Sequence, residues 1–223
     1  MGAMSFKGQI EAKCPKGCEP FVTDIWSFIR GDKDVNLRDA ILARECNLIL
    51  CDACETAFVP PEPYIYHEPQ RELLAFVFPE SYREKEAFWR AKMKEDFLLM
   101  RESLGPESTL DTEPQIFFGV DELAQLLEDE DWRGEEDEVM EFIAKELGLA
   151  LYRVSPGHAR RERVPGVLPY APQRPGEQAT PENVRAGLEK IVAANDRLTA
   201  FSGFLEKLRK EPVLPPASSV KRA

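Results

Sequence analysis

No stretch of this 223-residue chain stays apolar long enough to cross a bilayer as a helix. No apolar segment stands near its N-terminus, so a secretory signal is not expected and the cytoplasm is the expected location. Positive charge is in short supply: 29 Lys and Arg face 40 Asp and Glu, a formal net charge of -11. Such a chain repels phosphate backbones unless a local basic patch overrides the field, which counts against direct binding to a duplex. Cysteine is sparse too, five residues and therefore an odd count. In a reducing compartment, close cysteine pairs read as metal ligands or redox centres before they read as disulfides. No internal repeat is visible.

What charge there is lies unevenly. Residues 1–110 carry a net -5, residues 111–150 a net -12 and residues 151–223 a net +6. The acidic middle and the basic C-terminal part are therefore complementary, and either could lie on the other within one chain or between neighbours.

The pattern of apolar residues predicts an α+β chain. Phe21 to Ile29 is aromatic and β-branched, the composition of a strand. Asn36 is placed to cap a short helix over 37–45, and Cys46 to Leu50 reads as a short strand. Tyr64 to His67 and Leu73 to Pro79, separated by a Glu-Pro-Gln-Arg turn, predict a hairpin. A long helix is expected from Ser81 to Leu104, burying Phe88, Trp89, Met93, Phe97 and Met100. Two more are expected at 120–130 and 135–147, the second with Val139, Phe142, Ile143 and Leu147 inward. Residues 153–179 are rich in Pro, Gly and Arg and read as an arm or linker. Thr180-Pro181 starts a long amphipathic helix, with Thr180 as N-cap and Pro181 in the first turn.

Two cysteine pairs carry the chemistry: Cys14-Pro15-Lys16-Gly17-Cys18 and Cys51-Asp52-Ala53-Cys54. Each pair sits where a strand is expected to turn back. Two such turns, brought together, offer four thiolates in a tetrahedron, the geometry of a closed structural zinc site. Four sulfurs leave no open position for water or substrate, so one structural zinc is expected on Cys14, Cys18, Cys51 and Cys54. Iron suits the same donors. A redox Cys-x-x-Cys usually opens a helix, and the Phe58-Val59-Pro60 that follows Cys54 does not continue as one. Cys46 falls outside the ligand pattern and reads as a small buried residue.

These residues resemble the bacterial CpXC domain, a zinc-ribbon-like module named for two Cys-Pro-x-Cys motifs. The likeness rests on Cys14-Pro15 with Cys18 and the strand containing Trp26. It continues in Val35-Asn36-Leu37 through Glu45-Cys46-Asn47 to Cys51 and Cys54, and in Pro63-Tyr64-Ile65-Tyr66-His67-Glu68-Pro69. It covers about residues 11–80, more loosely to 150. This chain departs from the family in the extra Gly17, in Asp52 where a proline is usual, in Glu55 where a glycine is usual, and in Glu68 for an aspartate. The resemblance implies the fold and the metal and brings no activity with it.

The expected architecture is α+β: a small zinc-ribbon-like β domain with appended helices and a C-terminal long helix. It comprises a zinc-binding β domain at 5–80, an acidic helical extension at 81–150, an Arg/Pro-rich arm at 151–179, an amphipathic helix at 180–211 and a disordered tail at 212–223. The expected function is that of a non-enzymatic, zinc-stabilised protein–protein interaction module, an adaptor or scaffold in a bacterial cytoplasm. Its partner would be another protein, with self-association through the C-terminal helix as an option and no membrane. Arg153, Arg160, Arg161, Arg163, Leu198, Phe201 and Leu205 are the candidate partner-binding residues. A nucleic-acid-associated accessory factor in transcription is the alternative, with the arginines of the arm as its local support. An enzyme using His67 and Glu68, with Tyr66 beside them, is the third reading.

Overall fold

The computed structural model of the protein describes residues 4–104, 112–174, 176–195 and 197–219. By its internal packing the chain divides into two units, Met1–Glu128 and Asp129–Ala223. The α+β class is as expected.

The first unit is built on a five-stranded sheet. It contains β1 (Phe6–Ala12), β2 (Phe21–Arg30), α1 (Val35–Leu42), β3 (Ile49–Leu50), β4 (Ala57–Phe58), β5 (Tyr64–Glu68), β6 (Leu73–Phe78), α2 (Glu86–Leu104) and β7 (Pro114–Phe118). The sheet runs β1-β2-β5-β6-β7, and β3 pairs with β4 as a separate two-stranded ribbon. β1–β2 and β5–β6 are antiparallel, whereas β2–β5 and β6–β7 are parallel. The run Leu73-Leu74-Ala75-Phe76-Val77-Phe78 is buried throughout, as a strand covered on both faces must be. Strand alternation divides its side chains between two cores. Leu73, Ala75 and Val77 join Ile29, Ile41 and Tyr66, and Leu74, Phe76 and Phe78 join Met93, Phe97 and Phe118 from α2 and β7.

Several expectations change here. β1 went unread because Lys7, Gly8, Gln9 and Glu11 dilute its apolar signal, which is normal for an edge strand with little buried surface. The helix predicted from Asn36 starts at Val35, with Asp34 as its N-cap. The strand predicted over 46–50 contracts to Ile49–Leu50. Asn47 takes a left-handed φ of 60°, and its side-chain amide brackets the backbone of Trp26, accepting at 2.8 Å and donating at 3.0 Å. Asparagine tolerates that conformation where most residues do not. The turn predicted to open the long helix is 3-10 over Glu80–Lys85, and Phe88 in α2 is exposed. Gly105 and Pro106, which the sequence offers as the stop for the helix ending at Leu104, lie outside the described residues.

The two helices predicted at 120–130 and 135–147 are one, α3 (Val120–Glu146). Gly134 lowers helix propensity by about 1 kcal/mol but does not end the helix. Leu123 and Leu127 point inward in the first half, but in the second half Met140 and Ala144 are buried while Val139 and Phe142, expected inward, are exposed. The division between the units, after Glu128, falls inside α3.

The second unit takes the rest of α3, then β8 (Ala150–Arg153), α4 (Pro156–Glu162), β9 (Val167–Tyr170), α5 (Pro181–Ala194) and α6 (Thr199–Lys210). The stretch read as an arm is therefore folded: β8 and β9 pair antiparallel from Ala150↔Tyr170 to Arg153↔Val167. Ser155 caps α4 by accepting from the His158 amide at 3.3 Å, with Pro156 in the first turn. Composition misled because Val154, Ala159, Val164, Val167 and Leu168, the residues that bury, are scattered among Pro, Gly and Arg.

The single long helix expected at 180–211 is two helices. Asn195 ends α5 in an extended conformation, and its side chain accepts from the Arg197 amide at 3.0 Å, a local turn that competes with helix. The capping by Thr180 is as expected, with a reciprocal bond between Asn183 and the Thr180 backbone. Gly187, a cost to the helix, has a reason: a Cβ there would stand 2.4 Å from the Pro169 carbonyl oxygen, so only glycine lets α5 lie against β9. The tail read as disordered is docked as far as it is described. Ala217 bridges Val154, the Ser155 amide donates to the Pro216 carbonyl and the Ser218 amide to the Arg153 carbonyl, both at 2.9 Å. Residues 220–223 lie outside the described residues.

Candidate metal centre

The first cysteine pair lies in the loop that leaves β1. Pro15 and Lys16 form the turn, closed by the Gly17 amide donating to the Cys14 carbonyl at 3.0 Å. Gly17 has φ +76°, a conformation side chains rarely adopt, so the extra residue relative to the family motif is one the turn can accommodate. The Lys16 amide points at the Cys14 sulfur, 3.4 Å away.

The second pair lies in the β3–β4 turn. The strands contribute only the pairs Ile49↔Phe58 and Leu50↔Ala57. The Cys51 amide donates to the Thr56 carbonyl at 3.0 Å, and the Glu55 amide to the Cys51 carbonyl at 2.8 Å. Glu55, at the position where the family usually has glycine, is left-handed with φ 54°. Ring contact between Phe21, at the start of β2, and Phe58 in β4, 6.4 Å apart, brings the two loops side by side.

The four sulfurs of Cys14, Cys18, Cys51 and Cys54 all lie within 4.8 Å of one another. Cys14 and Cys54 are 3.6 Å apart and no cysteine is in a disulfide. A tetrahedral ion with bonds of about 2.3 Å separates its sulfurs by about 3.8 Å, so the donor set fits a metal ion. Cys14 and Cys51 are buried and Cys18 and Cys54 are half-buried. Thr56, whose hydroxyl is 3.2 Å from the Cys54 sulfur, holds that thiol down to about 6 through its side chain and backbone. Cys18 is pushed up to about 12 by hydrogen bonding to Cys54, Cys14 and Cys51, then by burial and the charge of Cys14. Thiolates so close oppose one another's ionisation, and a divalent cation would supply the missing positive charge. Thr56 was not singled out from sequence, although its place two residues after Cys54 is where a sulfur finds a donor.

Cys46 lies apart from the quartet, buried in the core beneath α1, where burial pushes its thiol up to about 11. His67 does not meet Tyr66 and Glu68. All three are on β5, and strand alternation sends His67 to the face opposite Tyr66 and Glu68. On its own face His67 is 3% exposed, beside Phe28 at 6.3 Å between ring centroids. Its Nε2 has no hydrogen-bond partner, and burial, then the charge of Arg30, lowers it to about 4. On the other face the Tyr66 hydroxyl donates to Glu68 at 2.6 Å, and Arg71 and Arg38 approach the same carboxylate at 2.8 and 3.7 Å. This is a satisfied structural network, and the acid/base trio of the enzyme reading does not converge.

The candidate partner residues belong to the second unit and are mostly engaged there. Arg160 is buried against Glu130 at 3.4 Å, and Arg153 on β8 pairs with Glu141. Arg161 and Arg163 are exposed at the end of α4. Phe201 and Leu205 are buried in the unit's own core and Leu198, half-buried, packs against it. The apolar face of α6 is thus used at home, which corrects its reading as a docking surface.

The family described as CpXC protein matches residues 12–142, a span that begins at the end of β1 and ends within α3. No curated protein and no solved structure matches the chain.

Proposed function

The chain belongs to the CpXC protein family, and on that premise we propose that it is a zinc-stabilised protein–protein interaction module, an adaptor or scaffold of a bacterial cytoplasm. The observation that carries the metal is the convergence of four sulfurs from two separate loops, each within 4.8 Å of the others. Zinc accepts four thiolates in a tetrahedron without ligand-field preference. Bound there, it ties the loop after β1 to the β3–β4 turn, and comparable sites supply roughly 10–16 kcal/mol of apparent binding energy. Four sulfurs complete its coordination, so the ion is structural and brings no substrate to a reacting position.

The interaction role is supported by the charge separation along the chain and by large apolar side chains left exposed on α3. Against the nucleic-acid alternative stands the pairing of Arg153 and Arg160 with carboxylates, which weakens the basic arm as a phosphate contact. The test is elemental analysis of the purified chain with X-ray absorption at the metal edge. The expected result is about one zinc per chain with four sulfurs near 2.3 Å. Iron in the same shell corrects the metal alone, and a chain without metal overturns the reading.

A further inference from the structure

In its second half, α3 presents the wrong residues to water. Trp132 is 68% exposed, Val139 59% and Phe142 67%, while on the opposite side of the helix Ala144 is buried and Met140 is buried in the unit's core. Trp132, Glu135, Val139, Phe142 and Glu146 follow one another at spacings of three and four residues. That is the seam of a heptad repeat, with apolar positions broken by two glutamates. Glu136 and Glu138, both exposed, flank it. A tryptophan and a phenylalanine left in water on one stripe, inside an acidic rim, are the makings of an interaction hot spot.

We propose that this stripe of α3 docks a basic amphipathic helix of a partner protein. This inference rests on the interaction-module reading and names the surface and the chemistry of the partner. The apolar seam takes leucine-like side chains at heptad spacing, and Glu135 and Glu146 within it face lysine or arginine. Two alternatives are disfavoured by charge and packing. A second copy pairing stripe to stripe would set one acidic rim against another, which is costly without counter-charge. Within this chain the basic α6, and α5 beside it, have already buried their apolar faces in the core they share with Met140.

The test is fluorescence anisotropy of a labelled synthetic three-heptad peptide with leucine at the seam and lysine or arginine elsewhere, titrated with the full chain at physiological ionic strength. Saturable binding is expected, with a loss of roughly tenfold or more in Trp132→Ala and in Phe142→Ala. Both side chains are exposed, so unchanged circular dichroism should accompany the loss. Glu135→Lys should weaken binding as well, and a peptide of the same composition with its heptads scrambled should bind at least about tenfold more weakly. The proposal is overturned if the heptad peptide does not bind, if the scrambled peptide binds equally, or if Trp132→Ala keeps wild-type affinity. It is equally overturned if light scattering finds a dimer that Trp132→Ala converts to monomer, since the occupant is then a second copy. Zinc content of the same sample separates the two readings: a metal-free chain that binds the peptide sinks the metal, and a zinc-loaded chain that ignores it sinks the docking surface.

Discussion

All five cysteines lie in the first unit and none in the second, and the difference follows from what each part of the chain can bury. The β3–β4 ribbon has two residues in each strand and leaves Leu48, Leu50 and Val59 exposed. Two-stranded ribbons that short do not hold themselves in water. On the proposed reading, a metal cross-linking that ribbon to the loop after β1 would replace a core it cannot build. Among the described residues the sheet of the second unit is the two-stranded β8–β9 hairpin, and α3, α4, α5 and α6 cover it. Leu168, Val184, Leu188 and Ile191 are fully buried there, so apolar burial does the work that a thiolate-bound metal would do in the first unit. A short β element needs either a helical cover or a cross-link, and on the proposed reading this chain uses one of each.

The comparison breaks most visibly at the metal. Cys51→Ser removes one of four ligands and should abolish stoichiometric zinc, with a loss of several kcal/mol confined to the first unit. Circular dichroism and metal analysis of the purified variant check both. The second unit should break by a different route. Leu188→Ala leaves a cavity in its core and should cost about 2–5 kcal/mol in urea unfolding, with the zinc content of the folded protein unchanged.

Acid provides a third contrast. His67 is held at about 4 by burial, against about 6.5 in an unfolded chain. A depressed histidine binds its proton more readily when unfolded, so stability is unaffected above about pH 6.5 and falls as the pH drops toward 4, by about 3 kcal/mol in all. His67→Gln should flatten that part of the profile. Because metal release in acid is common to both proteins, the difference between their urea midpoints at neutral pH and near pH 4.5 isolates the histidine. Equal slopes would show that the ring is not buried neutral.

The smallest effect tests the knuckle. A left-handed non-glycine costs about 1–2 kcal/mol, partly offset by the greater unfolded entropy of glycine. Glu55→Gly should therefore raise the stability of the first unit by about 0.5–1 kcal/mol, read from the urea midpoint of the zinc-loaded protein.

The sequence was most legible where chemistry or local geometry leaves few choices. Two cysteine pairs in turns foretold a four-sulfur cluster, an uninterrupted apolar run foretold β6, and Thr180-Pro181 foretold the start of α5. It was least legible where tertiary packing decides. The facing of α3 could not be read because apolar residues occupy both of its sides: Met140 and Ala144 are chosen by the core, and Trp132, Val139 and Phe142 are left out. The folding of 150–170 depends on α5, α6 and residues near 217, far along the chain, and its local composition of Pro, Gly and Arg resembles a linker. His67, Tyr66 and Glu68 are neighbours in sequence but divided by strand alternation, which the hairpin reading already contained.

The most direct test of the central claim is native-state hydrogen exchange before and after the metal is stripped by a chelator. The account predicts that the amides of Cys51, Glu55 and the β1–β2 ladder lose protection on stripping while those of α5 keep theirs. Equal protection of the first unit with and without metal would contradict it, and the four cysteines would then be neighbours without a structural ion.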